Sequence, residues 1–204
     1  MIRTIFFDFG NVLAFFDHQR AVKELVRYTD LNAAELYRQL YDLPILDDHE
    51  TGKASTDVYF RESKVNARLT CSQDEFLKHF CDIFWRNHEV CDLIPRLKPR
   101  YRLVLASNTV DSHFRKYVAD FADVLHHFNH LVASHHAGAR KPHPAFFEYA
   151  HQFAIAEPHE CLFVDDLEAN VETAKRFGWK GIVYKADGTL AEKLKAAGVE
   201  IGTK

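Results

Sequence analysis

Four short stretches of the chain carry residue types that could do chemistry together. Asp8 closes the apolar run Ile5-Phe6-Phe7 and is followed by Gly10; Ser107-Asn108-Thr109 closes Leu103-Val104-Leu105-Ala106. Arg140-Lys141-Pro142-His143-Pro144 holds a lysine beside a proline, and Asp165-Asp166 closes Cys161-Leu162-Phe163-Val164. A carboxylate at a strand end faces the ligand crevice of an open sheet, and a glycine just beyond it lets the chain turn with amides pointing inward. A hydroxyl followed by successive amides binds a phosphoryl oxygen, or equally caps a helix starting near Asp111. A lysine at the crevice mouth neutralises both a nucleophilic carboxylate and a bound phosphate, or is simply a solvated loop residue. Were Asp8, Asp165 and Asp166 to converge, each pair at about 4 Å would repel by roughly 4 kcal/mol at an effective dielectric of 20. Such a cluster stays ionised around a cation, and hard oxygen ligands select magnesium. Taken singly, each stretch has a plain structural explanation in turn or capping chemistry; their shared position at strand ends is what joins them.

The elements that must position these residues are legible as short apolar runs. Strands are predicted at Thr4–Phe7, Arg102–Ala106, His130–Ala133, Cys161–Val164 and Gly181–Tyr184. Predicted helices Ser112–Phe121, Pro144–Phe153, Glu168–Phe177 and Leu190–Ala197 separate them. Alternating strands and helices imply an α/β fold with a doubly wound parallel sheet, whose ligands sit at the carboxyl ends of the strands. Between the first two strands, Phe16 to Leu97 reads as helical with no strand: His18–Tyr28, Ala33–Leu43, Thr56–Leu69 and Gln73–Asn87. Ser72 and Glu75 form a capping-box signature at the start of the last of these. The expected organisation is a core of residues 1–15 and 92–204 with an inserted helical cap of 16–91, a lid by position. The segment Leu46–Lys53 is expected as a loop reaching the crevice.

Bulk properties narrow the class. The 204 residues, 47% hydrophobic and 27% charged, suit one ordinary folded domain with a small module attached. A net charge of −3 offers no basic field for nucleic acid or an anionic membrane. No apolar run approaches the roughly 18–20 residues of a membrane span, and Asp8 interrupts the N-terminal apolar stretch too early for a signal peptide. Cys71, Cys81, Cys91 and Cys161 lack CxxC spacing and read as reduced thiols, which with the rest implies a cytoplasmic location. The histidine-rich stretch from His126 to His143 matches no zinc spacing; His143 alone, close to Lys141, is expected near the crevice. Neither GxGxxG nor GxxxxGK[ST] occurs, so dinucleotide binding and NTPase chemistry lack support.

In order, FDFGNVL, LASNT, RKPHP and FVDD with Asn170 beyond resemble the four motifs of the haloacid dehalogenase-like superfamily, and the helical insertion is similar to the cap of its subfamily I. FDFGNV and the segment His49-Glu50-Thr51-Gly52-Lys53 look most like the branch containing a glucose-1-phosphate phosphatase and the phosphatase domain of soluble epoxide hydrolases. The resemblance implies a Rossmann-like core and a magnesium-dependent phosphatase. A closed lid excludes bulky polymers, so small phosphorylated metabolites, sugar phosphates among them, are the expected substrates; the aromatics Phe76, Phe80, Phe84 and Trp85 leave monomer and homodimer both open. The resemblance further implies that Asp8 attacks phosphorus and forms an aspartyl-phosphate. It places magnesium on Asp8, the Gly10 carbonyl and Asp166. Asp165 would position Lys141 or a metal-bound water, while Ser107 and the amides of Asn11 and Asn108 would grip phosphoryl oxygens.

One departure stands out. The superfamily's phosphatases mostly carry an acid two residues after the nucleophile, where this chain has Gly10. Asp17 and His18 just past the turn, and His49 and Glu50 in the cap, are the candidates to replace it. Two alternatives stay open: a 2-haloacid dehalogenase-type hydrolase, which would work without metal and without the twin acids, and a weakly active or inactive member that binds a phospho-ligand or a protein. A phosphomutase depends still more on the missing acid. A receiver-type phosphoacceptor would carry its paired acids on the first strand and no lid.

Overall fold

The computed structural model describes residues 1–203. Among the described residues are seven strands: β1 Thr4–Phe7, β2 Ala14–Phe16, β3 Phe84–Arg86, β4 Arg102–Ser107, β5 His130–Ala133, β6 Cys161–Asp165 and β7 Lys180–Val183. Five of them form a parallel sheet in the order β5-β4-β1-β6-β7. Side chains alternate across it with the period of two expected of a strand. Ile5, Phe7, Leu103, Leu105, Leu162 and Val164 enter one hydrophobic cluster; Phe6, Val104, Ala106 and Phe163 enter the other. Both faces are therefore buried, which is why these strands read as continuous apolar runs. The chain builds outward from β1 through β4 and β5, then returns to add β6 and β7 on the other side, so β1 lies at the point where the strand order reverses. Phe7 is in register with both Leu105 and Val164, which places Asp8, one residue on, between the ends of β4 and β6.

Residues 18–80 form five helices: α1 His18–Leu25, continued by a 3₁₀ turn to Tyr28, α2 Ala33–Tyr41, α3 Pro44–Glu50, α4 Thr56–Asn66 and α5 Gln73–Phe80. They close around a core of their own that includes Val22, Leu36, Leu40, Tyr59, Phe76 and Phe80. The capping box at α5 is formed: Glu75 N–H donates to Ser72 Oγ (3.3 Å) and Ser72 N–H to Glu75 Oε2 (2.9 Å).

Two expectations are corrected. The predicted helix Gln73–Asn87 ends at Phe80, and Phe84–Arg86 instead pairs antiparallel with Ala14–Phe16 as a two-stranded ribbon. The apolar spacing of four through Phe76, Phe80 and Phe84 runs on past the helix end and hides the change. Residues 44–50 are a helix rather than a loop, begun by Pro44, whose fixed φ and missing N–H suit a first turn.

The helical segment meets the sheet domain at three named contacts. His113 Nε2 bonds to Phe80 O (3.0 Å), Arg140 pairs with Asp47 and with Glu50 (2.7 Å), and Gly52 packs on the His135 carbonyl, where a Cβ would lie 2.2 Å from the oxygen. Among the described residues, no helix is long and apolar enough to cross a membrane.

Candidate active site

Asp8 is buried at the end of β1, its N–H held by Val164 O (2.9 Å). Its Oδ1 accepts the Phe9 N–H (2.7 Å) and lies 2.8 Å from Lys141 Nζ. The Lys141 ammonium also donates to Asp165 Oδ2 (2.7 Å), and the rings of Phe163 and Phe146 flank it. Its loop is clamped from β4: Asn108 Nδ2 donates to Lys141 O (2.9 Å), and Lys141 N–H donates to Asn108 Oδ1 (2.8 Å). Asp165 is saturated, accepting Leu167 N–H and Asn170 Nδ2 on Oδ1 (both 2.9 Å) and Asn170 Nδ2 again on Oδ2 (3.1 Å). Asp166 Oδ2 accepts Asn11 Nδ2 at 3.1 Å. One oxygen from each of Asp8, Asp165 and Asp166 lies within 4.8 Å of the other two.

Burial pushes the Asp8 carboxyl up to about 7, against the pull of Lys141 and with the help of Asp165 and Asp166. Burial raises Asp166 as well. For Lys141, burial works against the charged form, but Asp165 and Asp8 outweigh it and hold the ammonium above its usual range. Three acids against one ammonium leave an excess of negative charge that a divalent cation would complement. The Gly10 carbonyl and amide have no backbone partner among the described residues, which leaves the carbonyl available as a further hard ligand. The donor set thus fits magnesium.

The turn after β1 is tightly made. Leu13 and Ala14 N–H groups both donate to Phe9 O (2.9 Å each), and Asn11 sits in the left-handed region at φ 54°. Asn11 N–H donates to Ala14 O (2.7 Å), which corrects the expectation that this amide is free for a phosphoryl oxygen. The unengaged amide belongs to Gly10. A Cβ on Gly10 would lie 3.0 Å from Phe16 Cε1, so the Phe16 ring occupies the space next to this position.

Gly10, Ser107 and Asn108 form one side of a cavity of about 100 Å³. Phe16, His18, Tyr41, Leu46, Glu50 and Phe84 are among its other walls. His18 stacks on Tyr41 (centroids 4.1 Å, 7°), and burial lowers its pKa, favouring the neutral ring. Tyr41 Oη is buried without a hydrogen-bond partner. Burial raises the Glu50 carboxyl, and Arg140 opposes the rise.

Three expected positions lie elsewhere. Asp17 is exposed and caps α1, accepting Gln19 N–H at 2.8 Å. His49 stacks on Tyr59 (4.8 Å, 14°), bonds through Nδ1 to Ala54 O (3.0 Å), and faces a separate cavity with Thr56, Ser112 and His135. Both depart from expectation because adjacency in sequence does not say which face of a helix a residue takes. His143 is exposed and caps the helix Pro144–His151. Sequence reasoning missed Phe16, Tyr41 and Arg140, whose roles depend on tertiary neighbours. Only Arg140, next to Lys141, carried a signal that could have found it. The four cysteines are free and buried, as read.

Residues 2–178 match the haloacid dehalogenase-like hydrolase family, and the chain belongs to it. It is 27% identical over 195 residues to a D-ribitol-5-phosphate phosphatase of Bacteroides thetaiotaomicron, covering 88% of this chain and 90% of the relative. Its fold matches that of a haloacid dehalogenase family enzyme from the same organism, solved in complex with magnesium and inorganic phosphate, with a TM-score of 0.80 at 21% identity over 92% of this chain and 96% of that one. A predicted hydrolase of the family from Porphyromonas gingivalis is similar at a TM-score of 0.82 and 24% identity, over 96% and 98% of the two chains.

Proposed function

We propose, with that membership as the premise, that the chain is a magnesium-dependent phosphatase that hydrolyses small phosphorylated metabolites through an aspartyl-phosphate on Asp8. The observation that carries this reading is the meeting of Asp8, Asp165 and Asp166 within 4.8 Å, with Lys141 Nζ 2.8 Å from the Asp8 carboxylate. Asp8 offers an oxygen to phosphorus while Lys141 holds that carboxylate and neutralises a phosphoryl oxygen, the alignment and charge balance that phosphoryl transfer chiefly needs. Asp165 fixes the ammonium in place. Ser107 and the amides of Gly10 and Asn108 offer donors to the remaining phosphoryl oxygens. Magnesium, held by Asp8, the Gly10 carbonyl and Asp166, would offset the charge of the transferred group.

Residues 16–91 serve in this reading as the cap. The small cavity they share with Ser107 suits a short leaving group rather than a polymer, and the likeness to a ribitol-phosphate phosphatase supports an alditol or sugar phosphate as substrate. A panel of such esters assayed with wild type and Asp8→Asn, with and without chelator, tests it. Phosphate release should fall on the order of 10⁴-fold or more in Asp8→Asn and disappear on chelation. Undiminished release after divalent ions are stripped would overturn it.

A further inference from the structure

The proposed hydrolysis needs a proton for the departing oxygen, and the turn after β1 has none to give. Residue 10 is glycine, and the Phe16 ring stands 3.0 Å from where its Cβ would be. The donor must therefore come from another wall of the cavity beside Gly10 and Ser107. Five titratable side chains line that cavity: His18, Tyr41, Glu50, His113 and Tyr117. His113 is bound through Nε2 to Phe80 O, and burial pushes it down to about 3, so it carries no spare proton. Burial raises both tyrosines far out of the working range. His18 lies flat on the Tyr41 ring, and burial there disfavours the protonated form that would donate. Glu50 is the one carboxyl on the cavity wall.

Resting on the phosphatase reading, we propose that Glu50 is the general acid of the first step and the general base of the second, a carboxyl delivered from the end of α3 instead of from the turn after the nucleophile. Its setting suits the task. The side chain is 18% exposed, enough to reach a ligand and shielded enough to retain a proton. Its Oε2 lies 2.7 Å from Arg140, which also pairs with Asp47 one turn earlier on α3. Arg140, Asp47 and the Tyr59 hydroxyl are the charged and titratable groups that act on it. Burial outweighs Arg140 and raises the carboxyl, and the guanidinium then accommodates the charge left once the proton has gone.

The steps balance. An Asp8 oxygen forms a bond to phosphorus as the bond from phosphorus to the ester oxygen breaks, and the Glu50 proton passes to that oxygen to release an alcohol. Water then attacks the aspartyl-phosphate, the phosphorus–Asp8 bond breaks, and the proton lost by water restores Glu50. The sum is ester plus water giving alcohol plus phosphate. Arg140 is a positioning residue in this scheme.

The test compares kcat/KM, which covers only the steps through phosphoryl transfer to Asp8, for two esters. Ribitol 5-phosphate departs as an alkoxide and needs the proton; p-nitrophenyl phosphate departs as a stable phenolate and does not. Glu50→Gln should lower kcat/KM for the alkyl ester about 10²–10³-fold and for the aryl ester less than about fivefold. Glu50→Asp, which keeps the acid but draws it back, should fall between, and it serves should Glu50→Gln fail to fold. Arg140→Ala, which removes the group that holds Glu50, should slow the alkyl ester more than the aryl ester, though less than Glu50→Gln does. Equal losses on both esters in Glu50→Gln, or no loss on either, overturn the proposal while leaving the phosphatase reading intact. If the wild type hydrolyses neither ester, the phosphatase reading falls and this proposal with it.

Discussion

At the ends of β1, β4 and β6 the charged side chains are provided for within the fold. Asp165 accepts from Leu167, Asn170 and Lys141; Lys141 is shared between two carboxylates; Asn108 grips the lysine's own backbone. In the helical segment, by contrast, Tyr41 Oη on the cavity wall is buried and unpartnered, and the Glu50 carboxyl on the same wall has only an ion pair. A buried polar group without a partner costs about 1–3 kcal/mol. The difference teaches where each cost is met. The groups that would handle phosphorus are organised before any ligand arrives, whereas those that would meet the rest of the substrate are left for the ligand to complete.

Three substitutions press on that contrast. Lys141→Met should do the most damage, because it strands Asp8 and Asp165 without their shared cation. A stability loss of about 3–5 kcal/mol, read by urea unfolding, should accompany a fall in kcat on the order of 10³-fold. Next comes His113, which pins the helix Asp111–Asp120 to the Phe80 carbonyl of α5. Its folded pKa, about 3, lies below the unfolded value near 6.5, so the native state binds fewer protons between the two. Its contribution is therefore complete above about pH 6.5 and is lost as pH falls toward 3, on the order of 5 kcal/mol in all. His113→Gln keeps an N–H for Phe80 O and removes the titration; its Tm should drop less than that of wild type between pH 7 and pH 4.5. Smallest is Gly52→Ala, where φ is +73° and a Cβ meets the His135 carbonyl at 2.2 Å. It should cost about 2 kcal/mol and raise KM about tenfold with little change in kcat. Should Gly52→Ala reduce kcat as deeply as Lys141→Met, the division between a prepared core and an adaptable helical segment would not hold.

The parallel sheet was legible because its strands are buried on both faces and end abruptly at polar residues, so Asp8, Ser107 and Asp165 could be placed to within a residue. The same local reading failed for β3, where Phe84 continues the four-residue spacing of α5, and for residues 44–50, where Pro44 starts a helix in place of a loop. It also failed wherever the decisive fact is a facing surface. Asp17 and His49 are close in sequence to His18 and Glu50 yet point away from the cavity that those two line. The family resemblance implied a free Asn11 amide; the left-handed turn shows it spent on Ala14.

Arg140 and Lys141 are consecutive, one gripping two acids of α3 and the other the carboxylate at the end of β1. A single peptide unit thus works as a short mechanical linkage. Any swing of α3 that keeps its ion pairs must tug on the backbone from which the ammonium beside Asp8 is hung, so how firmly α3 is seated is transmitted to the electrostatic setting of the Asp8 carboxylate.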